Sequence, residues 1–86
     1  MELETLVVKV AHRLRIAREL RGLSPEKAAE LSGGRVSSSY IRRVEKGENS
    51  PTVEMVDVMV RVYGSTMGKF FMSLEDEDTA PARKRA

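Results

Sequence analysis

The segment from Pro25 to Gly47, PEKAAELSGGRVSSSYIRRVEKG, constrains the fold more than any other stretch, because it carries start and stop signals for two short helices and a turn between them. Ser24 is placed as an N-cap, Pro25 suits the first helical position, and Glu26 favours the positive end of the helix dipole. Ala28, Ala29 and Leu31 give this first helix a small apolar face, and Ser32-Gly33-Gly34 ends it with residues that tolerate an irregular or left-handed backbone. The second helix starts at Ser37 as N-cap, with Val36 before it and Ile41 at the fourth helical position forming a hydrophobic staple. Ile41 and Val44 face inward, and Gly47 supplies the stop. The outer face is then Ser38, Ser39, Arg42, Arg43 and Lys46, small hydroxyls followed by three cations. That pattern suits the major groove of DNA: an α-helix fits it, small side chains permit close approach, and arginine pairs bidentately with guanine. A solvated basic face is the competing reading of the same residues.

With 86 residues, 41% hydrophobic and 5% aromatic, the chain predicts a single domain with a compact aliphatic core, too small for a separate effector-binding domain. The absence of cysteine excludes disulfides, thiolate zinc sites and cysteine nucleophiles, and fits a reducing cytoplasm. No apolar run approaches the ~18 to 20 residues of a membrane span, and Met1 opens no signal-peptide pattern. A soluble, cytoplasmic protein is expected. His12 is the only histidine, with no partner at ligand spacing, and the acidic run at 75–78 lacks the glycine and spacing of a calcium loop. Neither an enzyme nor a metal or cofactor site is therefore expected. Charge is segregated: Lys9 to Lys46 holds ten Lys/Arg against four Asp/Glu, whereas Gly47 to Asp78 holds two against seven. This asymmetry fits a domain that turns one side toward phosphates.

Around the central segment, Leu3, Val7, Val10, Leu14 and Ala17 form a helical stripe that predicts a long first helix ending at Gly22. A second line, Val8, His12, Ile16 and Leu20, widens the apolar face and is expected to pack on the C-terminal helix or on a second chain. After a loop at Glu48 to Ser50, Pro51 and Thr52 start a fourth helix through Tyr63, with Val53, Val56, Met59, Val60 and Tyr63 toward the core. A strand is the alternative for this valine-rich run, but its length and the side shared by Glu54, Asp57 and Arg61 favour a helix. Ser65-Thr66 caps a fifth helix, Met67 to Leu74. There Phe70, Phe71, Met72 and Leu74 either close the core or anchor a symmetric dimer. The chain thus divides into a domain at 1–74 and a charged tail at 75–86 that is expected to be disordered, its Arg83-Lys84-Arg85 end solvated.

Leu23-Ser24, the Ala28-Ala29 pair, Gly33, Ser37, Ser39-Tyr40-Ile41, Val44-Glu45-Lys46-Gly47 and Asn49-Ser50-Pro51-Thr52 resemble the pattern of the phage-repressor and Cro type of helix-turn-helix domain, the xenobiotic-response-element-like regulators. The resemblance runs from about Arg13 to Phe71. It implies an all-α, five-helix DNA-binding domain in which Arg18 and Glu45 form a partly buried structural ion pair. Two positions depart from the pattern: Pro25 stands where the family usually carries a glutamine that positions a phosphate or base, and Gly34-Arg35 resembles a two-residue insertion in the turn. Size and the Phe70-Phe71 helix resemble the controller proteins of restriction-modification systems, with antitoxins and single-domain phage or developmental repressors as open alternatives within the family.

On this reading the protein is a homodimeric transcriptional regulator, a repressor or autoregulator, on double-stranded DNA with a pseudo-palindromic site. Ser38, Ser39 and Arg43 face base edges, Arg42 reads or clamps, Ser37, Tyr40, Lys46 and Asn49 hold phosphates, and Arg35 adds a backbone contact. The alternative is a protein-interaction module of antitoxin or anti-repressor type that has lost specific DNA reading. On either reading a toxin, an anti-repressor or RNA polymerase is the candidate protein partner.

Overall fold

The computed structural model describes the backbone of residues 3–74 and the side chains of residues 6–74. The tail expected at 75–86 lies outside the described residues, as does the side chain of Leu3. Five helices and no strand occur among the described residues: α1 (Leu3–Leu20), α2 (Pro25–Leu31), α3 (Ser38–Glu45), α4 (Val53–Val62) and α5 (67–74). None of them is long and apolar enough to cross a membrane.

Hydroxyl side chains fix where the four later helices begin. Ser24 accepts from the Lys27 N–H at 3.0 Å, Ser37 from Tyr40 at 3.0 Å, Thr52 from Met55 at 3.1 Å and Thr66 from Lys69 at 3.2 Å. Each satisfies a backbone donor that the first turn would otherwise leave unpaired. The turn between α2 and α3 is held by two devices. Gly33 and Gly34 adopt φ of 70° and 83°, a left-handed backbone in which a Cβ is strained. The buried Ser32 joins the two ends of the turn: its hydroxyl donates to the Ala29 carbonyl at 2.7 Å and accepts from the Val36 N–H at 3.2 Å.

Every helix contributes to one core. Val10 and Leu14 of α1, Ala28 of α2, Ile41 and Val44 of α3, Val56, Val58, Met59 and Val60 of α4, Tyr63 just beyond it, and Phe70 and Leu74 of α5 are buried together with Val36 of the turn. α2 packs most extensively on α3, where the small Ala28 lets the helices approach closely. Removing a wholly buried side chain such as Leu14 or Ile41 would cost about 2–5 kcal/mol.

The core differs from the sequence expectation in four places. Leu31, expected on the apolar face of α2, is 51% exposed, because it is the last residue of that helix and only Ala28 is buried there. Val53 is 73% exposed, because it is the first residue of α4, directly after the cap, and α4 turns Val56, Val58, Met59 and Val60 inward instead. The line Val8, His12, Leu20 does not pack on α5: all three are exposed, and only Ile16 is half-buried. Phe70 and Leu74 are 5% exposed and belong to the chain's own core, whereas Phe71 is half-buried and Met72 is 64% exposed. Phe70 and Phe71 meet edge to face, with centroids 5.1 Å apart. α5 is also tied to α1, where Arg13 Nη2 donates to Ser73 Oγ at 2.6 Å.

Candidate nucleic-acid interface

α3 is held from its inner side by Ile41 and Val44, both 0% exposed, and at its C-terminal end by Glu45. A carboxylate in a last helical turn meets the negative end of the dipole, so its presence there needs a partner. Arg18, in the last turn of α1, supplies it: Nε and Nη2 donate to the two Glu45 carboxylate oxygens at 2.8 Å each, and Nη1 donates to the Leu23 carbonyl at 2.7 Å. The two side chains are 11% and 8% exposed. One guanidinium thus fixes α3 to the end of α1 and to the entry of α2. The hydrogen bonds with Glu45 raise the Arg18 pKa above its ordinary value, against the opposing effect of burial. Tyr63 lies within the field of this pair. Burial pushes its phenol up, the Glu45 charge adds to the shift, and Arg18 opposes it.

Held in this way, α3 presents Ser39, Arg42, Arg43 and Lys46 exposed and Ser38 half-buried at its N-terminal edge. Ser37 is exposed but its oxygen is engaged as the cap, and Tyr40 is half-buried, its ring packed against the core. Arg35 is exposed in the turn before α3. Asn49 is half-buried in the loop after it, where Gly47 has left the helix with a φ of 78°. With its amide turned to suit its neighbours, Asn49 Oδ1 accepts from Arg43 Nε at 3.3 Å and its nitrogen donates to the Glu48 carbonyl at 3.1 Å. That contact steadies the base of the Arg43 guanidinium and leaves its terminal nitrogens for an outside acceptor. Arg42 behaves differently: Nη2 donates to Glu26 Oε2 at the start of α2. A cleft of about 260 Å³ lies beside this face, lined by Arg15, Arg18, Pro25, Arg42, Glu45 and Lys46.

The structure therefore brings Ser38, Ser39, Arg42, Arg43 and Lys46 onto one helix surface and sets Arg35 and Asn49 in the segments at its two ends. Two contributors escaped the sequence. Glu26 carried only a helix-dipole role, since a contact with a residue sixteen positions away leaves no periodic signal. Ser32 read as part of a helix stop, although its hydroxyl bridges the turn.

The arrangement has counterparts among known proteins. A family model described as a helix-turn-helix domain matches residues 9–67. The HTH-type transcriptional regulators PuuR of Escherichia coli (strain K12) and of Shigella flexneri are each 36% identical over 66 residues, which cover 77% of this chain and 35% of the relative. The chain thus spans about a third of the length of these curated relatives. Among solved structures none matches. The matched residues take in most of α1, all of α2, α3 and α4 and the turns between them, and the chain belongs to the helix-turn-helix domain family.

Proposed function

We propose that the protein is a sequence-specific DNA-binding transcriptional regulator of the phage-repressor and Cro type, acting in the cytoplasm as a homodimer on a pseudo-palindromic site. The observation that carries this reading is the outer face of α3: hydroxyls at its N-terminal end, then the exposed Arg43 and Lys46, all on a helix whose inner side is locked by Arg18 and Glu45. In helix-turn-helix docking the second helix lies in the major groove and the first crosses the backbone. Ser38, Ser39 and Arg43 then meet base edges. Lys46, Arg35, Ser37, Tyr40 and Asn49 serve the phosphates. The two relatives, both HTH-type transcriptional regulators, support the same class.

For the dimer, Met72 and Phe71 are the members of the aromatic helix with surface to offer, since Phe70 and Leu74 are used internally. Phe71 also lines an apolar cavity of about 180 Å³ with Leu6, Val53 and Met67. A two-fold pair would place its recognition helices about 34 Å apart, one turn of DNA. The test is selection of bound fragments from random duplex DNA, with a footprint and stoichiometry of the selected site at two salt concentrations. A symmetric site bound by two chains, with affinity falling steeply with salt, is expected. Failure to enrich any site would overturn the reading and favour the second one, a protein-interaction module. The loss of one outer-face cation to an internal carboxylate, Glu26, speaks for that alternative.

A further inference from the structure

Two arginines sit side by side on the outer face of α3 and have opposite environments. Arg43 has its terminal nitrogens open to a ligand. Arg42 turns back across the motif, and its guanidinium meets the Glu26 carboxylate at the second position of α2. Both members of this pair stay wet, with 46% and 60% of their side chains exposed, so it is not a packing element. Its position is what gives it consequence. It bridges the helix that crosses the DNA backbone and the helix that enters the groove, where free cations would otherwise face phosphate.

We infer that Glu26 sets the affinity of the chain for DNA: by engaging Arg42 it withholds one cation from the phosphate backbone, for every sequence alike, and leaves Ser38, Ser39 and Arg43 a larger share of binding. This rests on the DNA-binding reading above. Nonspecific affinity comes from cations that displace counterions from phosphates, and a guanidinium already neutralised by a carboxylate displaces none. A phosphate contact adds to site binding and to nonspecific binding alike, so the pair lowers both and leaves their ratio as it is. The pair stays charged at neutral pH: the hydrogen bond from Arg42, helped by one from its own backbone N–H, holds the Glu26 carboxyl below its ordinary value. The restraint is therefore constant rather than a pH switch.

The test compares the full chain with Glu26→Gln, Arg42→Ala and the double variant. Each is titrated against the selected site and against random duplex over a range of salt, with thermal unfolding as a check on folding. Glu26→Gln is expected to bind random duplex and the selected site alike several-fold more tightly at low salt, to steepen the slope of log K against log salt by about 0.9, the value of one further phosphate contact, and to leave the ratio of selected to random binding unchanged. Arg42→Ala alone should leave the slope as it is, and the double variant should return it to that of the natural chain. The inference is overturned if Glu26→Gln leaves the slope unchanged. It is equally overturned if Arg42→Ala flattens the slope by about one contact, because Arg42 then already pairs with phosphate. A steep slope that persists in the double variant would trace the effect to the carboxylate's repulsion of DNA and also overturn it. If the natural chain shows no salt-dependent DNA binding, the regulator reading falls and takes this inference with it. If the natural chain binds its site and only the variants disagree, this inference falls alone.

Discussion

The two sides of α3 each carry an arginine–glutamate pair, and the pairs do different work because of what surrounds them. On the inner side, Arg18 and Glu45 are nearly out of water, meet through two parallel hydrogen bonds and add a third to the Leu23 carbonyl. On the outer side, Arg42 and Glu26 meet through one contact and both side chains stay exposed to solvent. The first pair cannot lose a member without stranding a buried charge. The second is screened by solvent and contributes little to folding. The same chemistry serves architecture on one side and, in the proposed function, the handling of a charged ligand on the other, and the two sides should be separable by mutation.

The sharpest way to break that separation is to remove the inner carboxylate. Glu45→Ala leaves Arg18 buried without its counter-charge and is expected to lower stability by about 3–5 kcal/mol, read by urea unfolding. A loss no larger than that of an exposed pair would show that the inner side is not load-carrying. Ser32→Ala comes next. It strips the buried Val36 N–H of its acceptor, with an expected loss of about 1–3 kcal/mol and a measurable increase in amide exchange across the turn.

A third prediction uses Tyr63, which is buried beside the inner pair and whose hydroxyl has no hydrogen-bond partner among the described residues. Its pKa is raised in the folded chain, so the unfolded chain loses this proton first as pH rises. Folded molecules then hold more protons than unfolded ones, and stability falls with pH above about 10, with a limiting slope of about 1.4 kcal/mol per pH unit. Below the ordinary phenol pKa the contribution is complete. Tyr63→Phe should remove this component of the alkaline slope and, having no stranded hydroxyl, should be no less stable at neutral pH. The smallest effect belongs to the outer side: Lys46→Ala should leave thermal unfolding unchanged, weaken binding to all sequences alike and flatten the salt slope by about 0.9.

How much of this was legible in the sequence depends on how local each signal was. The caps Ser24, Ser37, Thr52 and Thr66 could be read directly, because an N-cap and the N–H it serves lie within one turn. The five-helix order followed from those caps and from the apolar spacing between them. Val53 misled because a helical stripe extrapolates to the first residue of a helix, where the chain is only entering the core. Phe70 and Leu74 differ from Phe71 and Met72 through which side of α5 meets α1 and α4, and an apolar cluster in sequence does not resolve that. The Arg18–Glu45 pairing was implied by family resemblance, not by periodicity. Glu26 with Arg42 had no local signal, since it joins two helices whose mutual setting depends on the turn that Ser32 holds.

The central claim, that the outer face of α3 reads DNA sequence, is tested most directly by measuring binding of the natural chain and of Arg43→Ala to every single-base variant of the selected site. Arg43→Ala is expected to lose discrimination at one base position in each half-site, worth about 1–3 kcal/mol there, and to keep it elsewhere. An unchanged profile, or a uniform loss across all positions, would contradict it and place sequence reading away from this face.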